Sequence, residues 1–273
     1  MNKVYQVYQV SDSTGETLDR IFLALKAQFS NFECKTIHYS FTRTKNQVDK
    51  IISKSKSEKN VIILYTIVDN ELSEYLVNKS KENNIPNFAV LGNLISDFSK
   101  LLNQEATRVP SGQHILDKEY YKRIEAVQFT ISHDDGKKIN DLEKSDVILV
   151  GISRTSKTPT SIYLANRGYK VSNIPIIPNK NLPHELMQSS KKTFVVGLIC
   201  DSSRLLDVRR NRIQSMNEDR PVNYTNEIEI ANEIENSKKI FKKNNWPIID
   251  VTRKSVEETA ASIIKILDIL NSR

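Results

Sequence analysis

Gly151 is followed six residues later by Lys157 and then by Thr158. This is the phosphate-loop pattern G-x-x-x-x-G-K-[ST] with one departure, because Ser156 stands where the second glycine is expected. The chemistry of such a segment is anion binding. Loop N–H groups and a helix N-terminus face a phosphate, Lys157 adds a full positive charge, and the Thr158 hydroxyl is offered to Mg²⁺. The departure matters because that glycine often adopts a backbone torsion closed to other residues. An ordinary strand-to-helix turn with a Lys-Thr pair is the alternative.

Other residues could complete this chemistry. His133-Asp134-Asp135-Gly136 places two carboxylates shortly before the loop. Phosphoryl transfer needs a group that accepts the nucleophile's proton, and carboxylates that hold Mg²⁺. Asp-Gly is also a common turn pair, so a plain turn stands beside that reading. His133 reads as structural, and His38, His114 and His184 lack metal-ligand spacing. Arg204, Arg209 and Arg212 can share a helix face, either as phosphate contacts or as an exposed basic face. Arg154, inside the loop, is the better phosphate candidate. Ser11 to Thr17, SDSTGET, has the hydroxyls of an anion site after a first strand. It reads equally as a helix cap, with Ser13 or Thr14 at the N-cap.

The elements around these residues follow from periodicity. Val147 to Val150 is a buried strand ahead of the loop. Pro159 opens an amphipathic helix as its first residue, and Gly168 ends it. In the N-terminal part, strands at Val4–Val10, Cys34–Phe41, Val61–Val68 and Phe88–Leu91 alternate with helices at Glu16–Phe29, Asn46–Ser57, Glu71–Asn83 and Leu94–Leu102. That order implies a parallel sheet with helices on both faces. Lys118–Val127 reads as a helix. Strands are expected at Val171–Ile177, Thr193–Cys200 and Trp246–Val251. Ser202 or Ser203 caps the arginine-bearing helix. Glu227–Lys243 is helical, and Ser255 with Glu258 forms a capping box for Val256–Leu270. The fold class is therefore α/β. A doubly wound parallel-sheet domain spans 1–105, a linker 106–118, and a phosphate-loop kinase-like nucleotide-binding catalytic domain 119–273.

Composition bounds the function. The chain has 273 residues, enough for two compact domains, and a net charge of +7. The charge is spread over Lys-rich polar stretches without interleaved aromatics, so nucleic acid is not an expected partner. No run of 18 apolar residues exists, and no membrane span is expected. Cys34 and Cys200 stand alone, which argues against a disulfide framework or a zinc site and fits a reducing cytoplasm.

With SDSTGET, HDDG, GISRTSKTPTSIYLANRGYKVSNIPIIP, RRNR and WPIIDVTRKSVEETA in order, the chain resembles the pyruvate, phosphate dikinase regulatory proteins, a family shared with the phosphoenolpyruvate synthetase regulatory proteins. The resemblance spans nearly the whole chain, and Ser156 belongs to that family's own loop. It implies a cytoplasmic bifunctional transferase. One activity is an ADP-dependent serine/threonine kinase that inactivates the dikinase on a threonine. The other is a phosphate-dependent, pyrophosphate-forming phosphotransferase that reactivates it. The implied nucleotide-binding segment is Gly151, Ile152, Ser153, Arg154, Thr155, Ser156, Lys157 and Thr158. ADP, Mg²⁺ and inorganic phosphate are the implied ligands, and the dikinase or the synthetase is the implied protein partner. From chemistry we assign Lys157 to charge stabilisation, Thr158 to Mg²⁺, and Asp134 or Asp135 to proton transfer or metal. Arg154 and Arg209 are candidate phosphate contacts. Alternatives are the same chemistry on the synthetase, a phosphate-loop small-molecule kinase, and a nucleotide-sensing adaptor without transfer. A homodimer is the candidate assembly.

Overall fold

The computed structural model describes residues 3–112, 118–178, 180–190, 193–216 and 222–272. The chain divides into two compact units, Met1–Ile115 and Leu116–Arg273.

In the first unit, β1 (Tyr5–Ser11), α1 (Glu16–Lys26), β2 (Cys34–Tyr39), α2 (Lys45–Lys56), β3 (Val61–Thr66), α3 (Asn70–Glu82), β4 (Asn87–Ala89) and α4 (Gly92–Leu102) alternate along the chain. The strands form a parallel sheet in the order β2-β1-β3-β4. Alternating side chains of β1 divide the core. Val7 packs with Leu18 and Phe22 of α1 on one face. Tyr8 and Val10 pack with Val48, Ile51 and Ile52 of α2 and with Leu72 and Leu76 of α3 on the other. Of the expected linker, residues 106–112 lack regular structure but are tied into this unit. Arg108 donates to the Val68 carbonyl at 3.1 Å, and Ser111 donates to Ser13 at 2.8 Å. Residues 113–117 of that linker lie outside the described residues.

The second unit begins with α5 (Lys118–Ser132) and a 3-10 turn at Asp134–Gly136. It continues through β5 (Val147–Gly151), α6 (Lys157–Ala165), β6 (Val171–Pro175), α7 (His184–Ser189), β7 (Phe194–Ile199), α8 (Ser202–Met216), α9 (Glu227–Lys243), β8 (Ile248–Asp250) and α10 (Val256–Asn271). Its parallel strands run in the order β6-β5-β7-β8, the same topology as the first sheet. In both sheets the chain leaves the first strand toward one neighbour and returns on the other side. The loop after that strand therefore sits at a topological switch point, where ligands bind in open α/β sheets. Right-handed crossovers put α6 and the helices after β6 on opposite faces. Val147, Ile148, Leu149 and Val150 are all fully buried, as a strand covered on both faces requires.

Several element ends differ from expectation. The helix expected at Lys118–Val127 is longer, since α5 runs on through Phe129–Ile131 to Ser132. Pro159 is the third residue of α6 rather than the first, still inside the turn whose N–H groups need no helical acceptor. Gly15, at φ 90°, is the N-cap of α1, and neither Ser13 nor Thr14 caps it. Asp201, not Ser202 or Ser203, accepts the first N–H groups of α8, from Ser203 at 3.0 Å and Arg204 at 3.4 Å. The capping boxes of α2 (Thr44 with Gln47) and α10 (Ser255 with Glu258) are both complete.

Gly197 in β7 lies under the fully buried Phe241 ring of α9, and a Cβ there would sit inside the ring's contact distance. Gly197→Ala is expected to destabilise the second unit by about 1–3 kcal/mol. Urea unfolding measures this directly, and an unchanged midpoint would contradict the packing described.

Candidate active site

The loop from Gly151 to Thr158 joins the buried end of β5 to the start of α6. Gly151 is required by space, since a Cβ would come within 2.7 Å of both the Leu198 carbonyl and the Thr155 hydroxyl. Ser156 takes the backbone the pattern reserves for glycine, with φ 57° and ψ 22°, and Arg154 is also left-handed at φ 71°. The Thr155 hydroxyl is fully buried and closes the loop on the Ile152 carbonyl at 2.9 Å.

Lys157 is the first residue of α6 and is only 7 % exposed. Its ammonium donates to the Ile152 carbonyl at 2.9 Å. Burial pulls its pKa down to about 8, against the opposing fields of Asp135 and Asp134, while Arg154 and Arg209 add to the lowering. The loop thus holds a cation whose hydration has been removed, and an anion placed beside it would relieve that.

The Asp134–Gly136 turn lies against this loop, although 15 residues separate Asp135 from Gly151 and Ser156 in pattern terms gives no hint of it. Thr158 Oγ1 donates to Asp134 Oδ1 at 2.9 Å. The Asn173 side chain, 1 % exposed on β6, donates from Nδ2 to the same carboxylate oxygen and accepts the Asp135 N–H at 3.0 Å. Asp135 itself is exposed, at φ 56°, and its carboxylate accepts no hydrogen bond from the described residues. His133 is buried. Its Nε2 meets Asp141 at 2.7 Å and its Nδ1 meets the Phe129 carbonyl at 2.7 Å, so its ring anchors the start of the turn. The hydrogen bond from His133 holds the Asp141 carboxyl below the usual carboxylate range.

Across the cavity, Arg209 is 1 % exposed and grips Glu233 with both terminal nitrogens, at 2.6 and 3.2 Å. It also reaches the Tyr224 carbonyl at 3.1 Å and the Ser153 carbonyl at 3.5 Å, and its guanidinium lies 4.6 Å over the Tyr224 ring. Arg209 therefore braces the loop through Ser153 and Tyr224. Burial pushes the Tyr224 phenol up, but Ser153, Arg154 and Arg209 together hold it below its ordinary value. Arg212 shares the cavity wall with Arg209, and the buried Nε atoms of both lack an acceptor among the described residues. Arg204 is exposed and does not line the cavity.

The cavity so formed has a volume of about 740 Å³ and is lined by Asp134, Asp135, Ser153, Arg154, Ser156, Lys157, Thr158, Arg209 and Arg212 among others. That size suits a nucleotide-sized ligand. A larger cleft of about 840 Å³ in the first unit, around Phe22, Leu25, Phe29 and Phe88, has no charged lining residue and offers no such chemistry. Sequence reasoning missed Asn173, Tyr224 and Glu233. Asn173 did leave a signal, since Ser172-Asn173 is a polar pair inside a strand that must be buried on both faces.

The family described as kinase/pyrophosphorylase matches residues 7–264 of the chain. A protein of Pelagibacter ubique (strain HTCC1062), designated a candidate pyruvate, phosphate dikinase regulatory protein, is 59% identical over 269 residues, covering 98% of each chain. One of the same designation from Sphingopyxis alaskensis is 42% identical over 262 residues, covering 96% of each. Another from Bartonella tribocorum is 43% identical over 266 residues, covering 97% of this chain and 96% of that one. No helix among the described residues is long and apolar enough to cross a membrane.

Two outcomes follow from the loop. In the folded chain Lys157 loses its proton near pH 8, whereas an unperturbed lysine does so at 10.5. Between those values the unfolded state binds more protons, so stability gains with rising pH across this window relative to Lys157→Met. Urea unfolding of both proteins from about pH 7 to 11 checks this, and parallel curves would refute it. Ser156→Gly should retain or raise stability, while Ser156→Val should lose about 1–3 kcal/mol because a β-branched residue is forced to positive φ.

Proposed function

The chain belongs to the kinase/pyrophosphorylase family, and on that premise we propose that it is a bifunctional regulator of pyruvate, phosphate dikinase. In one direction it transfers the β-phosphoryl group of ADP to a dikinase threonine and releases AMP. In the other it transfers that group from phosphothreonine to inorganic phosphate and releases pyrophosphate. The observation that carries this reading is the convergence of Lys157, Asp134, Asp135 and Thr158 on one cavity wall. The dikinase is preferred to the synthetase as target because the relatives at 59%, 42% and 43% identity all bear the dikinase designation.

One site serves both directions. The group moves between a threonine oxygen and a phosphate oxygen in each case, and the phosphate oxygen belongs either to the AMP portion of ADP or to free phosphate. A single in-line arrangement fits both. The loop amides and Lys157 stabilise the charge on the transferring group. The free carboxylate of Asp135 takes the threonine proton in the kinase direction and returns it to the threonine oxygen in the other. Asp134 is the weaker candidate for this role, because its carboxylate is already engaged by Thr158 and Asn173. Arg154 and the Nε of Arg212, which lacks an acceptor among the described residues, are suited to the remaining phosphate oxygens.

The hydroxyl of Thr158 donates to Asp134 and accepts from Asn173 at 3.3 Å, which leaves one oxygen lone pair for a hard cation. Among the described residues no cluster of three or more acidic, His or Cys ligands exists. That suits Mg²⁺, which is commonly held by one or two protein oxygens together with substrate phosphates. Bound there, it would neutralise charge on the phosphoryl oxygens.

Purified chain, dikinase and β-labelled ADP test the proposal. Label should appear on a dikinase threonine with AMP as co-product, and phosphate should release it as pyrophosphate. Label released as orthophosphate without added phosphate would mean that water is the acceptor. Lys157→Ala should lower both activities by about 10²-fold or more. Asp135→Asn should lower kcat by about 10²–10⁴-fold with little change in ADP affinity, and a greater kcat loss in Asp134→Asn would move the base to that residue.

A further inference from the structure

The Asn173 carboxamide bridges two separate chain segments. Its Oδ1 accepts the Asp135 N–H at 3.0 Å. Its Nδ2 donates to Asp134 Oδ1 and, at 3.3 Å, to Thr158 Oγ1. Its own backbone N–H donates to the His133 carbonyl at 3.3 Å. The amide orientation is fixed by its neighbours, because a backbone N–H demands an acceptor and a carboxylate demands a donor. Asn173 pairs with Leu149 in the ladder of β5 and β6, so it stands on the strand next to the loop's own strand. Asp135 at φ 56° and Gly136 at φ 72° form a turn that holds its shape only where its surroundings fix it.

We propose that Asn173 is the positioning residue that sets the Asp134–Asp135 turn against the phosphate loop, and so aims the Asp135 carboxylate at the transferring group. The last part rests on the function proposed above. The residue type follows from the geometry. An aspartate could accept from Asp135 but not donate to Asp134, and an aliphatic residue could do neither. Glutamine carries the same groups one methylene too far from a rigid strand.

Two variants and two readouts test it. In Asn173→Ala the Asp135 amide should lose hydrogen-exchange protection, and kcat should fall by about 10²-fold, the scale of a misplacement near 1 Å. ADP affinity should stay within about threefold, since the loop itself is intact. In Asn173→Asp the Asp135 amide keeps its acceptor and its exchange protection, but the donor to Asp134 is lost, so kcat should still fall while ADP affinity holds. Circular dichroism of both variants excludes unfolding as the cause. A protected Asp135 amide in Asn173→Ala, or a wild-type kcat in either variant, overturns the proposal. If wild-type chain transfers no label from ADP, the functional reading fails, and amide exchange still decides whether Asn173 holds the turn.

Discussion

The candidate site is organised around the buried ammonium of Lys157. Lys157 begins α6 with almost no exposure, and burial, with Arg154 and Arg209 adding to it, pulls its pKa down from 10.5 to about 8. A charge in that position is tolerated only with nearby compensation. The Ile152 carbonyl accepts from it directly, and Asp134 and Asp135 oppose the loss of its proton. The rest of the site follows from bringing that compensation into range. α5 runs to Ser132, the buried His133 ring anchors the turn, and Asn173 ties the turn to β6. Arg209, which lines the same cavity, is committed to Glu233 and braces the loop through the Ser153 carbonyl. The outcome is a cation poised for an anion beside a free carboxylate, which is the pairing phosphoryl transfer needs.

The two units share one topology, and the loop after the first strand sits at the same switch point in each. The resemblance is local as well. Gly15 and Ser156 are both left-handed N-caps, and each is followed by a helix whose first residues are Glu16-Thr17 in one case and Lys157-Thr158 in the other. The charge at the first helical position is thus reversed. The first loop also buries Asp12, whose carboxylate accepts the Val68 N–H at 2.7 Å and is pushed up by burial. The cavity there is only about 150 Å³. Equal topology therefore does not confer equal chemistry. A helix N-terminus with a carboxylate at its head repels the anion that its counterpart attracts.

Much of this was legible along the chain. Strand–loop–helix order around Gly151 to Thr158 follows from local hydrophobic runs and helix punctuation, and the parallel α/β class follows from alternating element types. The ends of elements were less legible. The α1 cap was misread because Ser13 and Thr14 have good capping chemistry, yet Gly15 occupies the left-handed N-cap position. Arg209 had the charge of a phosphate ligand, and only Glu233, 24 residues away, revealed that its guanidinium was already engaged.

The sequence by itself determined the elements, their α/β alternation and the segment able to cradle a phosphate, because these depend on spacing over a few residues. Tertiary structure alone decided which carboxylate is engaged and which is free. It also decided that His133 is an anchor, and that Ser156 adopts the torsion of the glycine it replaces. The first two outcomes depend on Asn173 on β6 and on Asp141 in the turn ahead of β5. Hydrogen bonds between residues distant in sequence leave no period to read, so only the folded chain could assign the roles.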